Sequence, residues 1–104
     1  VSEGWDAKPV WMSVHGQTKE MFLKSALAKA LNRQLVTIRS WEHMGVLSKP
    51  RLRNYRGRWL YSRDQIEDLI KLAGEEGLMD PNLRKPFTER FKKEANKICK
   101  RKIQ

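Results

Sequence analysis

The sequence predicts a mainly α fold with one small β-hairpin, and three observations carry that prediction. Apolar residues recur at helical spacing in four stretches, around residues 22–31, 35–44, 63–73 and 87–103. Asn32, Gly45, Gly74 and Gly77 stand where those periodic runs stop. Only residues 51–61, between Pro50 and the strand-preferring Trp59-Leu60-Tyr61, read as extended chain with a turn at Gly57. A chain of 104 residues supports about one domain with a modest core.

Residues 1–17 hold Gly4, Pro9, Gly16 and the pair Trp5 and Trp11, and they read as an irregular arm whose tryptophans pack on the domain or on a partner. Thr18 is the expected N-cap of the first helix, in which Leu23, Ala26, Leu27, Ala30 and Leu31 form one apolar stripe. Asn32 tolerates the left-handed backbone that a tight turn needs. The second helix, Leu35 to about Met44, turns Leu35, Ile38 and Trp41 to the core and stops at Gly45. Two short helices joined by so brief a turn predict a helix-turn-helix.

The second helix carries the chemistry. Its outer side presents Val36, Thr37, Arg39, Ser40 and His43, a set that suits base edges and phosphates. Arginine and hydroxyl groups donate hydrogen bonds, and a small apolar side chain meets a thymine methyl. The hairpin adds Lys49, Arg51, Arg53, Arg56 and Arg58, with Glu42 the only acidic residue between 21 and 61. Arginine presents a rigid fork of donors to phosphate, so this hairpin reads as a wing that grips a backbone or enters a minor groove.

Ser62-Arg63-Asp64-Gln65 is a capping box, and Ile66, Leu69, Ile70 and Ala73 give the third helix its apolar face. Residues 79–86, with Pro81 and Pro86, form an expected linker. The last element, 87–104, aligns Phe87, Phe91, Ala95, Ile98 and Lys102, with Arg90, Lys92, Lys93, Lys97, Lys100 and Arg101 around them. Three readings stay open for it: a helix docked on the domain or a sister subunit, a basic arm ordered by DNA, and a membrane-surface helix. The expected organisation is therefore an arm (1–17), a winged helix-turn-helix (18–78), the linker, and a basic amphipathic helix.

Charge is segregated along this layout. Residues 1–20 sum to −1, residues 21–61 to +8, residues 62–83 to −4 and residues 84–104 to +7, within a net +10. Two basic blocks parted by an acidic one are the footprint of a polyanion-binding surface, since charge serving solubility alone is spread more evenly. The single cysteine, Cys99, excludes an internal disulfide and suits a reducing compartment. No apolar run nears the roughly 18 residues a membrane span needs, and the N-terminus lacks a signal-peptide core, so a cytoplasmic protein is expected. His15 and His43 have no partners at metal-ligand spacing, and no glycine-rich phosphate loop or nucleophile constellation occurs. Neither an enzyme nor a cofactor is expected.

From Leu27 to Leu72 the chain resembles the MerR-like winged helix-turn-helix superfamily. The resemblance rests on Ala28, Thr37-Ile38-Arg39, Trp41-Glu42, Gly45-Val46-Leu47, Pro50-Arg51, Gly57-Arg58 and Tyr61-Ser62. The spacing Thr-Ile-x-x-Trp followed by Gly is also similar to small phage-type members, the excisionases and the DNA-binding domain of terminase small subunits. The resemblance implies that the second helix enters a major groove with Thr37 and Arg39 as contacts, while Ile38, Trp41 and Tyr61 serve the core. Three positions depart from the pattern: Arg33 replaces a buried aliphatic residue, Gln34 a Ser or Thr cap, and Trp59 the wing arginine, whose role passes to Arg58 or Arg56.

The expected function is double-stranded DNA binding, in transcriptional regulation or in phage-type recombination or packaging, with Arg39 reading a base. The alternative is a protein-interaction adaptor with an aromatic patch of Trp5, Trp11, Phe87 and Phe91. Self-association through the C-terminal helix is a further expectation.

Overall fold

The structure is a computed structural model that describes residues 4–78 and 87–101, so the expected linker at 79–86 lies outside the described residues. In chain order the elements are β1 (Val10–Val14), β2 (Gln17–Leu23), α1 (Lys24–Ala30), α2 (Leu35–His43), β3 (Leu52–Arg53), β4 (Trp59–Ser62), α3 (Arg63–Glu75) and α4 (Glu89–Cys99). The strands form one antiparallel sheet in the order β1-β2-β4-β3. The helices share a single core with it, in which Phe22, Leu27, Ile38, Tyr61, Ile66 and Phe91 are almost completely buried.

The N-terminal stretch departs from the expected irregular arm and from the expected helix start at Thr18. Val10, Met12 and Val14 turn to the more buried side of β1 while Trp11 and Ser13 stay exposed, the alternation of a half-buried strand. His15 and Gly16 both adopt positive φ, 52° and 78°, the backbone of a two-residue hairpin turn that closes Val14 onto Gln17. Thr18 is thus an exposed strand residue, and Phe22 and Leu23 pair with Tyr61 and Leu60 of β4. That pairing holds the chain extended until Lys24, where α1 begins behind Leu23 without a side-chain cap.

The expected helix stops at Asn32, Gly45 and Gly77 are realised, each in left-handed backbone with φ of 56°, 81° and 70°. At each stop the amide one residue further on bonds back to the helix: Arg33 to the Ala28 carbonyl at 2.9 Å, Val46 to Trp41 at 2.9 Å, and Leu78 to Ala73 at 2.8 Å. These are Schellman closures, which satisfy carbonyls that a helix end otherwise leaves open. Gly74, expected to share in ending α3, lies inside it. The capping box is present: the Ser62 hydroxyl accepts from the Gln65 amide at 3.2 Å, and Gln65 Oε1 accepts from the Ser62 amide at 2.9 Å.

The structure decides among the three readings of the C-terminal element. α4, capped by Thr88, docks back on its own domain, with Phe91, Ala95, Ile98 and Cys99 buried against the core. Detaching it would re-expose Phe91 and Ile98 at about 1.5–3 kcal/mol each, which disfavours a loose DNA-ordered arm. The apolar stripe is spent inside the chain, so neither a membrane surface nor self-association can use that face. Among the described residues no helix is long and apolar enough to cross a membrane.

Candidate nucleic-acid interface

α2 owes its orientation to the residues it buries. Ile38 is fully buried and Trp41 is 8% exposed, the latter meeting Phe87 edge-on at 5.1 Å and lying under the Arg33 guanidinium at 5.6 Å. Arg33, which departs from the aliphatic residue of the resemblance, is half-buried beside an aromatic ring and also donates to the Leu78 carbonyl at 2.5 Å. The far side of α2 is open: Val36 is 66% exposed, and Arg39, Ser40 and His43 are exposed with it. Thr37 is half-buried at the edge of that face.

The wing is a tight, side-chain-braced loop. Asn54 Oδ1 accepts from the amides of Arg56 and Arg58, both at 2.9 Å, and Gly57 takes φ of 80° to close the turn. Tyr55 stands at its apex, 89% exposed, with the Arg56 guanidinium over its ring at 5.4 Å. Trp59 holds cations over its ring: Arg53 lies at 4.7 Å and Lys49 at 5.7 Å. Cation–π contact keeps these groups fixed while leaving their charge outward. Arg51 donates to the Lys100 carbonyl at 2.6 Å, tying the wing base to the end of α4. Lys49, Arg51, Arg53, Arg56 and Arg58 are all exposed.

Between α2 and the wing runs a groove of about 350 Å³, with Leu23, Leu35 and Trp59 in its lining and Arg39 and Arg58 reaching it from the two elements. Lys24 reaches it too, but its ammonium is paired with Glu42 at 2.5 Å. The other carboxylate oxygen of Glu42 and the Tyr61 hydroxyl are buried without a hydrogen-bond partner among the described residues. Burial pushes the Tyr61 phenol well above its ordinary range, with Cys99 and Glu42 adding to the shift.

Apart from Glu42, which lies on α2 and pairs with Lys24, the ion-paired carboxylates among the described residues sit on other elements. Asp6 and Glu20 pair with Arg63, Glu75 and Glu76 with Arg90, Asp68 with Arg101, and Glu89 and Glu94 with lysines of α4. Among the described residues no ion pair reaches Arg39, Lys49, Arg51, Arg53, Arg56 or Arg58. The ten residues singled out from sequence therefore lie on α2 and the adjoining wing segment, and among the described residues the Arg and Lys side chains of this set have no ion-pair partner.

Sequence reasoning missed Asn54, Tyr55, Trp59 as a cation platform, and Asn96. Tyr55 could have been found as an aromatic residue set in an arginine-rich turn, where a core role is implausible. Asn96 could not, because its partners lie about fifty residues away: its amide donates to the Gly45 and Val46 carbonyls at 3.1 and 3.2 Å and its Oδ1 accepts from the Ser48 hydroxyl. The aromatic patch of the adaptor reading is not assembled. Trp5 packs on Phe22 at 4.9 Å, Phe87 and Phe91 stack inside the α2–α4 contact at 5.5 Å, and only Trp11 remains exposed. Among the described residues no group of three or more His, Cys, Asp or Glu could hold a metal ion.

A short helix, a turn, a second helix with an open polar face and a basic hairpin beside it define the winged helix-turn-helix class of DNA-binding domain. Residues 24–73 match the family model described as MerR HTH family regulatory protein, so this segment is similar to that family. The match spans α1, α2, the wing and most of α3, and it leaves out the β1–β2 hairpin and α4. No curated protein and no solved structure matches the chain significantly.

Proposed function

We propose that the protein is a double-stranded DNA-binding regulator that inserts the exposed face of α2 into a major groove and sets its arginine-rich wing on the flanking backbone or minor groove. One observation carries the reading: among the described residues Arg39 and the wing cations are exposed with no ion pair to a carboxylate, while most acidic side chains pair with cations of other elements. Such a surface repels itself in isolation and gains when phosphates approach and counterions are released. The shape agrees with the charge, since a helix is the element that fits a major groove.

Affinity for a short random duplex, measured by fluorescence anisotropy across a salt series, tests it. Log K is expected to fall linearly with log salt, and Arg56→Ala and Arg58→Ala each flatten that slope by about one. Absence of duplex binding at low salt would overturn the reading. The finer assignment, to an excisionase-type or terminase-type role in recombination or packaging, rests on the Thr37-Ile38-x-x-Trp41 spacing. Bending of the bound duplex, read by gel mobility of circularly permuted fragments, tests the architectural version, and straight DNA in the complex would favour a plain regulator.

A further inference from the structure

We infer that Arg39 and Arg58 clamp one backbone phosphate of the bound strand in the groove between α2 and the wing, and that base reading falls to the outer ridge of α2 led by Val36. The inference rests on the DNA-binding reading above and divides its labour among residues.

Helix geometry separates the two roles. At 3.6 residues per turn each step rotates about 100°, so Ser40 and His43 stand within about 40° of Val36, forming one outward ridge. Arg39 is rotated about 60° from Val36, toward the flank that carries Leu35 and Glu42. That flank faces the wing, because Leu35 and Arg39 line the same groove as Arg58 and Trp59. The guanidinium expected from sequence to read a base is therefore set where the strand backbone passes between helix and hairpin.

The groove's chemistry selects a phosphodiester. Arg39 and Arg58 line it from separate elements, and two guanidinium forks can serve the two non-bridging oxygens of one phosphate. Neither guanidinium has a carboxylate partner among the described residues, and the third cation, Lys24, is neutralised by Glu42. The exposed Ser25 hydroxyl lines the same groove, while Leu23, Leu35 and Trp59 give it apolar walls that strengthen charge interactions beside them. The ridge beside it is different: Val36, 66% exposed, can meet a thymine methyl, and Ser40 and His43 bracket it with hydrogen-bonding groups.

The test uses the full chain and a duplex carrying the site selected by the wild-type protein, scanned with single methylphosphonate linkages that remove one phosphate charge at a time. At one linkage neutralisation should weaken wild-type binding about tenfold, the scale of a charged hydrogen bond. Arg39→Ala and Arg58→Ala should each weaken binding to the unmodified duplex by a similar factor and add little further loss at that linkage. Arg39→Ala should keep the wild-type order of base preferences, whereas Val36→Ser should change the preference at one base pair. Additive losses, or an Arg39→Ala variant with altered base preference and an unchanged salt slope, would overturn the clamp while leaving DNA binding intact. Loss of duplex binding by the wild type itself at low salt would remove the DNA reading altogether. Phosphate buffer that displaces the duplex more strongly than chloride at equal ionic strength would mark a free-anion site and overturn the assignment to the backbone.

Discussion

The side-chain amide of Gln65 donates to the carbonyl of Ile98 at 3.0 Å and to that of Cys99 at 3.2 Å, while its Oε1 accepts from the Ser62 amide at 2.9 Å. One fully buried side chain thus closes the start of α3 and the end of α4. Replacing it with a leucine of similar volume keeps the packing but strands the Ser62 amide and the carbonyls of the last α4 turn. An unsatisfied buried polar group costs roughly 1–3 kcal/mol. Gln65→Leu is expected to lower the urea midpoint accordingly with an unchanged m-value, and an unchanged midpoint would mean that these groups find other partners.

Asn96 links α4 to the functional face in a different way. It donates to the carbonyls of Gly45 and Val46, just past the end of α2, and accepts from Ser48 at the approach to the wing. It touches the junction whose geometry sets the angle between α2 and the wing, and it is a positioning residue for both. Asn96→Ala should weaken duplex binding several-fold while leaving the salt slope as in the wild type, because no phosphate contact is removed. A flattened slope would show instead that α4 itself holds backbone.

Much of the matched segment was legible because its signals are local. Asn32, Gly45 and Gly77 stop helices through their own backbone freedom, the capping box spans four residues, and Gly57 needs only its neighbours to make a turn. The β1–β2 hairpin was not legible for a physical reason. Leu23, Leu27, Ala30 and Leu31 satisfy a helical stripe, and a short apolar run such as Met21-Phe22-Leu23 has no periodicity of its own. Pairing with β4, some forty residues away, decided between strand and helix. The same distance hid the roles of Gln65 toward α4 and of Asn96. Residue types marked Arg39 as a candidate contact, but only the fold shows that it borders the groove shared with Arg58 and Trp59.

Trp41 tests how far α2 depends on the C-terminal element. Its ring is buried against Phe87 and under Arg33, joining α2, the α1–α2 turn and the segment preceding α4. Trp41→Ala should cost roughly 3–5 kcal/mol, the range for deleting a large buried aromatic side chain. Thermal melting should show a depressed midpoint, and Trp41→Phe should recover part of the loss by restoring an edge-on aromatic contact. A wild-type midpoint for the alanine variant would place the ring outside the core.

Cys99 and Tyr61 make stability depend on alkaline pH. Burial pushes the Cys99 thiol from 9.0 up to about 11, with Glu42 adding to the shift, and Tyr61 is raised in the same direction. Both groups are neutral when protonated, so the folded state holds its protons to higher pH than the unfolded chain does. Below pH 9 the thiol is protonated in both states and contributes no pH dependence. Between pH 9 and 11 the unfolded chain has released the Cys99 proton and the folded chain has not, so stability falls with a limiting slope of about 1.4 kcal/mol per pH unit for that group. Urea midpoints should be flat from pH 7 to 9 and decline above it, and Cys99→Ala should remove the part of the decline that begins near pH 9. At neutral pH the buried thiol should react with an alkylating reagent only as fast as the domain opens, which a parallel labelling time course in urea would follow. Rapid labelling of the folded protein would show that the α4 contact opens locally, without unfolding the rest.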